Sequence, residues 1–210
     1  MKQCDLILAT GGAAMVGAAY SSGTPALGVG AGNAVITVDE TADIVDAAEK
    51  IRISKTLDLA ASCSADNSVI AVASIYDDLV EKLIAEGGHL AKEGDYEKIA
   101  AVLWEDGHLN TKAVVLKPQV LCEMAGVDIP ADAKFIIMPE TGTGPDHPYS
   151  GEKLSVIMAF YKVSDIDEAI ALTNQIQDYQ GKGHSCGIYS NSDDNILKMG
   201  MGTKLFLIHN

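Results

Sequence analysis

The chain has 210 residues and a formal net charge of −14, with 15 Lys and Arg set against 29 Asp and Glu. That length supports one good core, or one domain with an appendage, and the acidic balance argues against nucleic acid and anionic membrane surfaces, both of which reward clustered Lys and Arg. Hydrophobic residues make up 48%, yet no apolar run approaches the ~20 residues that span a bilayer, and the first short run leads into glycines instead of a signal-peptide cleavage site.

Asp5-Leu6-Ile7-Leu8-Ala9 reads as a short buried strand, and Thr10-Gly11-Gly12 turns from it into a helix. Free N–H groups at such a helix start attract an anion, and glycine permits close approach; a plain tight turn is the competing reading. Ser21 to Pro25 ends that helix. The glycines of Gly28-Val29-Gly30-Ala31-Gly32 imply close backbone approach but lack the spacing of a dinucleotide fingerprint. Val35-Ile36-Thr37-Val38 is the next strand. Thr41 is expected to cap a helix carrying Ile44, Ala47, Ala48 and Ile51 at helical spacing.

That helix delivers the chain to Cys63, which stands among small polar residues just before the uninterrupted apolar run Val69 to Ala73. A thiol at a junction between regular elements is a candidate nucleophile, since function collects at such junctions. Inert packing is the ordinary state of a lone cysteine, and it is the reading for Cys4, Cys122 and Cys186. The four cysteines form no CxxC pair or disulfide framework, which implies a reducing, cytoplasmic setting, and the histidines show no metal-ligand spacing.

Tyr76, Leu79, Val80, Leu83 and Ile84 mark another helix, stopped by Gly87-Gly88. Helices are also predicted over Asp95 to Trp104 and Pro118 to Ala125. Phe135 to Met138 and Val156 to Val163 are strands, and the Gly- and Pro-rich segment Pro139 to Gly151 between them is expected to act as a lid. Ser164 with Asp167 predicts a capping box for the helix bearing Ile166, Ala169 and Ile170. Gly181-Lys182-Gly183-His184 then breaks into a strand, Cys186 to Tyr189. This alternation predicts an α/β fold, with a largely parallel sheet and helices on both faces.

Taken together, Asp5 to Gly12, Ala18 to Gly23, Gly28 to Asn33, Val38 to Asp43, Ser54-Lys55-Thr56, Glu152-Lys153-Leu154-Ser155 and Gly183-His184-Ser185 resemble the CoA-acylating branch of the aldehyde dehydrogenases, in the family's order. The run Cys63-Ser64-Ala65-Asp66-Asn67-Ser68 is most similar to that of the sulfoacetaldehyde dehydrogenases. The resemblance implies an aldehyde dehydrogenase catalytic-domain-like fold, with residues 1–25 the last strand and helix of a cofactor-binding domain and 26–210 a catalytic domain that stops short of the family's C-terminus at the apolar run Leu205 to Asn210. It implies a cytoplasmic homo-oligomer acting on a small aldehyde with NAD or NADP, with coenzyme A as acyl acceptor and no metal. Cys63 would carry a thioacyl intermediate. Thr10, Gly11, Gly12 and Glu152 would contact the nicotinamide cofactor, and His184 would serve in CoA contact or acid–base work. Where hydrolytic relatives place the glutamate that activates water, this chain has Val29, which leaves a thiol as the acceptor that needs least help. An inactive domain that keeps the fold, and a reductase of acyl phosphates, are the alternatives. The face that would meet a cofactor domain is expected to be apolar and exposed.

Overall fold

The computed structural model describes residues 1–204 and 207–209, so Leu205, Phe206 and Asn210 of the C-terminal apolar run lie outside the described residues. The chain divides into two compact units, 1–32 and 33–210. The first holds strand β1 (Ile7–Thr10), helix α1 (Ala13–Tyr20) and strand β2 (Ala26–Val29), with β1 and β2 parallel. Its last residue, Gly32, closes the glycine-rich stretch that begins in β2. Leu8, Leu27 and Val29 in these strands are exposed, as expected of an apolar face seeking a cover.

The second unit runs β3 (Ala34–Val38), α2 (Ile44–Thr56), β4 (Asp66–Val72), α3 (Tyr76–Ala85), β5 (Gly88–Leu90), α4 (Tyr96–Leu103), β6 (Trp104–Glu105), β7 (His108–Leu109), α5 (Pro118–Ala125), β8 (Phe135–Pro139), β9 (Ile157–Val163), α6 (Ile166–Tyr179), β10 (Ser185–Tyr189), α7 (Asp193–Gly202) and β11 (Leu207–His209). β6 and β7 form a small antiparallel hairpin. The other strands make one parallel sheet in the order β11-β10-β3-β4-β9-β8-β5.

All seven residues of β4 are buried. Alternation along the strand sends Ile70 and Val72 into one core, with Leu121, Ile166, Ala169, Ile176 and Met199. Val69 and Ala71 enter the other, with Ala47, Ala48, Ile51, Leu79 and Leu83. A period of two on the strand feeding two helical layers is what a central parallel strand requires. The predicted fold class is therefore the observed one.

Several local expectations change. Asp43, not Thr41, caps α2, its carboxylate accepting from the N–H groups of Val45 and Asp46. Thr41 instead bonds Asp39 and the loop after β10. Asp165 caps α6, and Glu168 reaches back to the N–H and hydroxyl of Ser164, one residue on from the expected box. A carboxylate beats a hydroxyl at the cap because it also meets the helix dipole. Cys4 is exposed, not core, whereas Cys122 and Cys186 are buried.

The segment from Pro139 to Gly151 is no free lid. Glu140 is buried and accepts from the N–H groups of Thr141 and Gly142, the hydroxyl of Tyr96 and His147 Nδ1. Tyr149 is buried against Tyr96 and Trp104 and donates to Tyr96 O. Such anchoring turns a Gly- and Pro-rich loop into a fixed strap across the sheet.

Candidate active site

α2 ends at Thr56, and the chain then makes one short turn, Leu57 to Ala60. Asp58, Leu59 and Ala60 all have left-handed backbone, with φ of 49°, 53° and 59°. Non-glycine residues in that region cost of order 1 kcal/mol each or more, and such strain gathers at functional sites. A β-turn follows in which the Ala65 N–H donates to Ser62 O, and Cys63 stands exposed near its tip. The Cys63 N–H has no partner among the described residues.

All strands of the sheet run parallel, so residues that precede strands share its N-terminal edge. Cys63 lies before β4, Glu152 and Lys153 before β9, His184 before β10 and Asn33 before β3. Ligands of open α/β sheets ordinarily sit at the opposite, C-terminal edge. There a cavity of about 640 Å³ is lined by Tyr96, Met138, Glu140 and His147 among others, but its buried carboxylate is already saturated by the four donors named above. The exposed thiol of Cys63 is at the N-terminal edge.

Cys63 and Glu152 meet in a narrow recess of about 10 Å³, lined also by Lys55, Ala60, Ser62, Ala65, Asn67 and Leu154. Leu154, like Ala60 across from it, is left-handed, at φ 43°. The strap carrying Glu152 is pinned by buried amides. Asn67 Nδ2 donates to Gly151 O and to Asn33 Oδ1, and Asn67 Oδ1 accepts from the Lys153 N–H. Asn33 Nδ2 donates to Ser150 O and Gln180 O, while Gln180 Oε1 accepts the Glu152 N–H at 2.7 Å. Gly181 presses on the same network: a Cβ there would lie 2.8 Å from the Asn33 nitrogen.

Two lysines are sealed beneath. Lys153 Nζ donates to Tyr149 O and Gly151 O, and burial, with Lys55 beside it, holds its amine well below the usual lysine range. Lys55 is 1% exposed. Burial brings it down to about 7 against the opposing charge of Asp66. Asp66, also buried, is pushed up to about 6 by desolvation, and its Oδ2 has no hydrogen-bond partner.

Because folded Lys55 gives up its proton near 7 and an unfolded lysine only near 10.5, the unfolded chain binds more protons in between, and stability rises with pH across that window. Lys153 acts in the same sense. Asp66 acts oppositely, its contribution being lost as pH rises from about 4 to 6. Urea unfolding is therefore expected to show up to about 5 kcal/mol more stability near pH 9 than near pH 7, since each of the two lysines contributes up to ~1.4 kcal/mol per pH unit. The buried Cys122 and Cys186 thiols, raised by desolvation, oppose this only at higher pH. A flat or falling profile over the window contradicts charged-to-neutral burial of these lysines.

Of the residues singled out in the sequence, the recess holds Cys63 and Glu152. His184 lies on the same edge but does not line it; half-buried, its Nδ1 is 3.1 Å from Ser185 Oγ, and desolvation lowers its affinity for a proton. Thr10, Gly11 and Gly12 belong to the first unit, at the junction of β1 and α1. Among the described residues no group of three or more His, Cys, Asp or Glu could hold a metal, and no helix is long and apolar enough to cross a membrane.

Lys55, Asp66, Asn67 and Lys153 were not expected. One signal was present for Lys55: it follows Ala47, Ala48 and Ile51 at helical spacing, which puts it on the buried stripe of α2.

The chain is 37% identical to the acylating sulfoacetaldehyde dehydrogenase of Cupriavidus necator, over 95% of this chain and 41% of that protein. It superposes on an acetylating aldehyde dehydrogenase from Geobacillus thermoglucosidasius with a TM-score of 0.95 and 38% identity, over 98% of this chain and 45% of the other. Over nearly its whole length the chain is thus similar to acylating aldehyde dehydrogenases. It also superposes, with a TM-score of 0.86 and 29% identity over 98% of this chain and 46% of the other, on a Rhodopseudomonas palustris propionaldehyde dehydrogenase solved with bound CoA and an acylated cysteine. No family model matches. The chain thus spans less than half the length of these relatives.

Proposed function

We propose that Cys63 is the acyl-carrying nucleophile in the conversion of a small aldehyde to an acyl-CoA. The observation that carries this is an exposed cysteine, just after a turn of three left-handed residues, that lines one recess with Glu152. The cysteine sulfur adds to the aldehyde carbon, and its own N–H, without a partner among the described residues, donates to the developing oxyanion. A bound nicotinamide cofactor supplies the hydride acceptor that leaves a thioester on the sulfur. The thiol of CoA then attacks the thioester carbonyl and Cys63 departs as thiolate.

Glu152 fits a ribose contact, since its carboxylate is only half-buried beside the nucleophile and its backbone is fixed by Gln180. Thr10, Gly11 and Gly12 are proposed for approach to the same cofactor on their sequence blocks and on the open space around Gly12, where an added Cβ would meet nothing within 4 Å. His184 is proposed for CoA contact at the sheet edge. The acceptor is a thiol: Val29, which stands where hydrolytic relatives carry their water-activating glutamate, offers no base, and water is a poor nucleophile without one. NAD or NADP, cytoplasmic location and homo-oligomerisation belong to the same reading.

Iodoacetamide tests the nucleophile. Cys122 is a poor control because it is fully buried; Cys4, exposed like Cys63, is the proper one. Peptide mapping is expected to find Cys63 alkylated at least about tenfold faster than Cys4. Equal rates would count against an activated thiol.

A further inference from the structure

Two buried lysines underlie the recess, and their amines are committed differently. Lys153 is held by the carbonyls of Tyr149 and Gly151. The amine of Lys55 makes no hydrogen bond or ion pair among the described residues, although the side chain is sealed from bulk water and lines the recess with Cys63. The charged groups around it are Asp66 on β4 and Lys153 and Glu152 on the strap; the turn after α2 brings Cys63 and the exposed Asp58. Asp66, which could have closed an ion pair, keeps an unpartnered oxygen. A structural lysine would be expected to saturate its amine, as Lys153 does. An uncommitted amine on a lysine that lines one recess with a nucleophile is built to exchange a proton.

We propose that Lys55 is the group that takes up the Cys63 thiol proton when the sulfur attacks, directly or through one water, and returns it when the sulfur leaves. The inference rests on Cys63 being the nucleophile. In the attack the S–H bond breaks, the proton goes to the neutral amine to make an ammonium, and the sulfur electron pair forms the new S–C bond while the carbonyl π pair moves to oxygen. In the departure the S–C bond breaks and the ammonium gives its proton back to the thiolate. An amine that titrates near neutrality is suited to both directions. Burial supplies that property, and Asp66 moderates it.

The proton step can be read without cofactor, because iodoacetamide also requires the sulfur to lose its proton, with iodide as leaving group. The rate at the Cys63 peptide is expected to rise through a limb near pH 7, where Lys55 becomes neutral. Lys55→Met should lose the limb and slow alkylation at neutral pH by about tenfold or more. Lys55→Arg keeps the charge but never releases its proton, so it should be equally slow; wild-type speed in that variant would show that only charge matters and overturn the proposal. Asp66→Asn removes the charge that raises Lys55 and should move the limb to lower pH. This variant carries the test if changes at Lys55 prevent folding, and a limb that stays in place overturns the proposal. So does a limb that survives Lys55→Met and vanishes in His184→Asn. A wild-type Cys63 no faster than Cys4 would instead remove the nucleophile assignment itself.

Discussion

A Cys63→Ser variant is expected to keep its fold and lose covalent acyl capture. The measurement runs the second half-reaction backwards: an acyl-CoA offered to the protein should pass its acyl group to the Cys63 sulfur and release CoA as free thiol, with no change in redox state. Peptide mass mapping then finds the acyl group on residue 63. A serine hydroxyl at neutral pH is a far weaker nucleophile than a thiol with its proton acceptor beside it, so adduct formation should fall roughly a hundredfold or more. Cys63 is exposed, and exposed substitutions away from caps and buried networks typically change stability by no more than about 0.5 kcal/mol. Loss of capture in a variant with unchanged unfolding is thus a chemical effect. Acyl transfer that continues in Cys63→Ser, or that lands on Cys4, would contradict the assignment.

The second large effect lies one layer down. Asn67→Ala removes a side chain that joins three segments: it donates to Asn33 Oδ1 before β3 and to Gly151 O on the strap, and it accepts from the Lys153 N–H. All of these groups are buried, and Gly151 O keeps only the Lys153 amine as donor. A buried polar group left without its partner costs about 1–3 kcal/mol, and the losses here are coupled, so unfolding free energy should drop by about 3 kcal/mol. The strap that places Glu152 and Lys153 should also loosen, visible as faster amide exchange from Tyr149 to Lys153. A drop below about 1 kcal/mol, with unchanged exchange, would mean that the amide network does not hold the strap.

Much of this was readable along the chain, for definite reasons. Val69 to Ala73 announced a strand buried on both faces because a central parallel strand has no polar side, and it is β4, the middle strand of the sheet. Cys63 stood out because small polar residues interrupt two regular patterns there. Glu152 stood out through its block with Lys153, Leu154 and Ser155. The caps were misplaced by one or two residues because Ser, Thr and Asp compete for the same N–H groups, and only the backbone angle of each decides the winner. The strap was misread as a lid because glycine and proline report conformational need, not mobility; the anchoring side chains Glu140 and Tyr149 bond to partners across the loop and across α4.

By itself the sequence determined the fold class and, through its ordered blocks, the resemblance to acylating aldehyde dehydrogenases; it also singled out the cysteine proposed as nucleophile. Those properties are written in local periodicity and in residue identity at fixed spacing. What only the tertiary structure decided is which groups face the thiol. Lysine is a surface residue by composition, and nothing local says that Lys55 and Lys153 are sealed under one recess, that one amine is tied to two carbonyls, or that the other is left uncommitted beside Cys63. Burial, and the mutual influence of charges brought together from α2, β4 and the strap, arise only when the sheet closes, and they set the proton affinity on which the proposed chemistry depends.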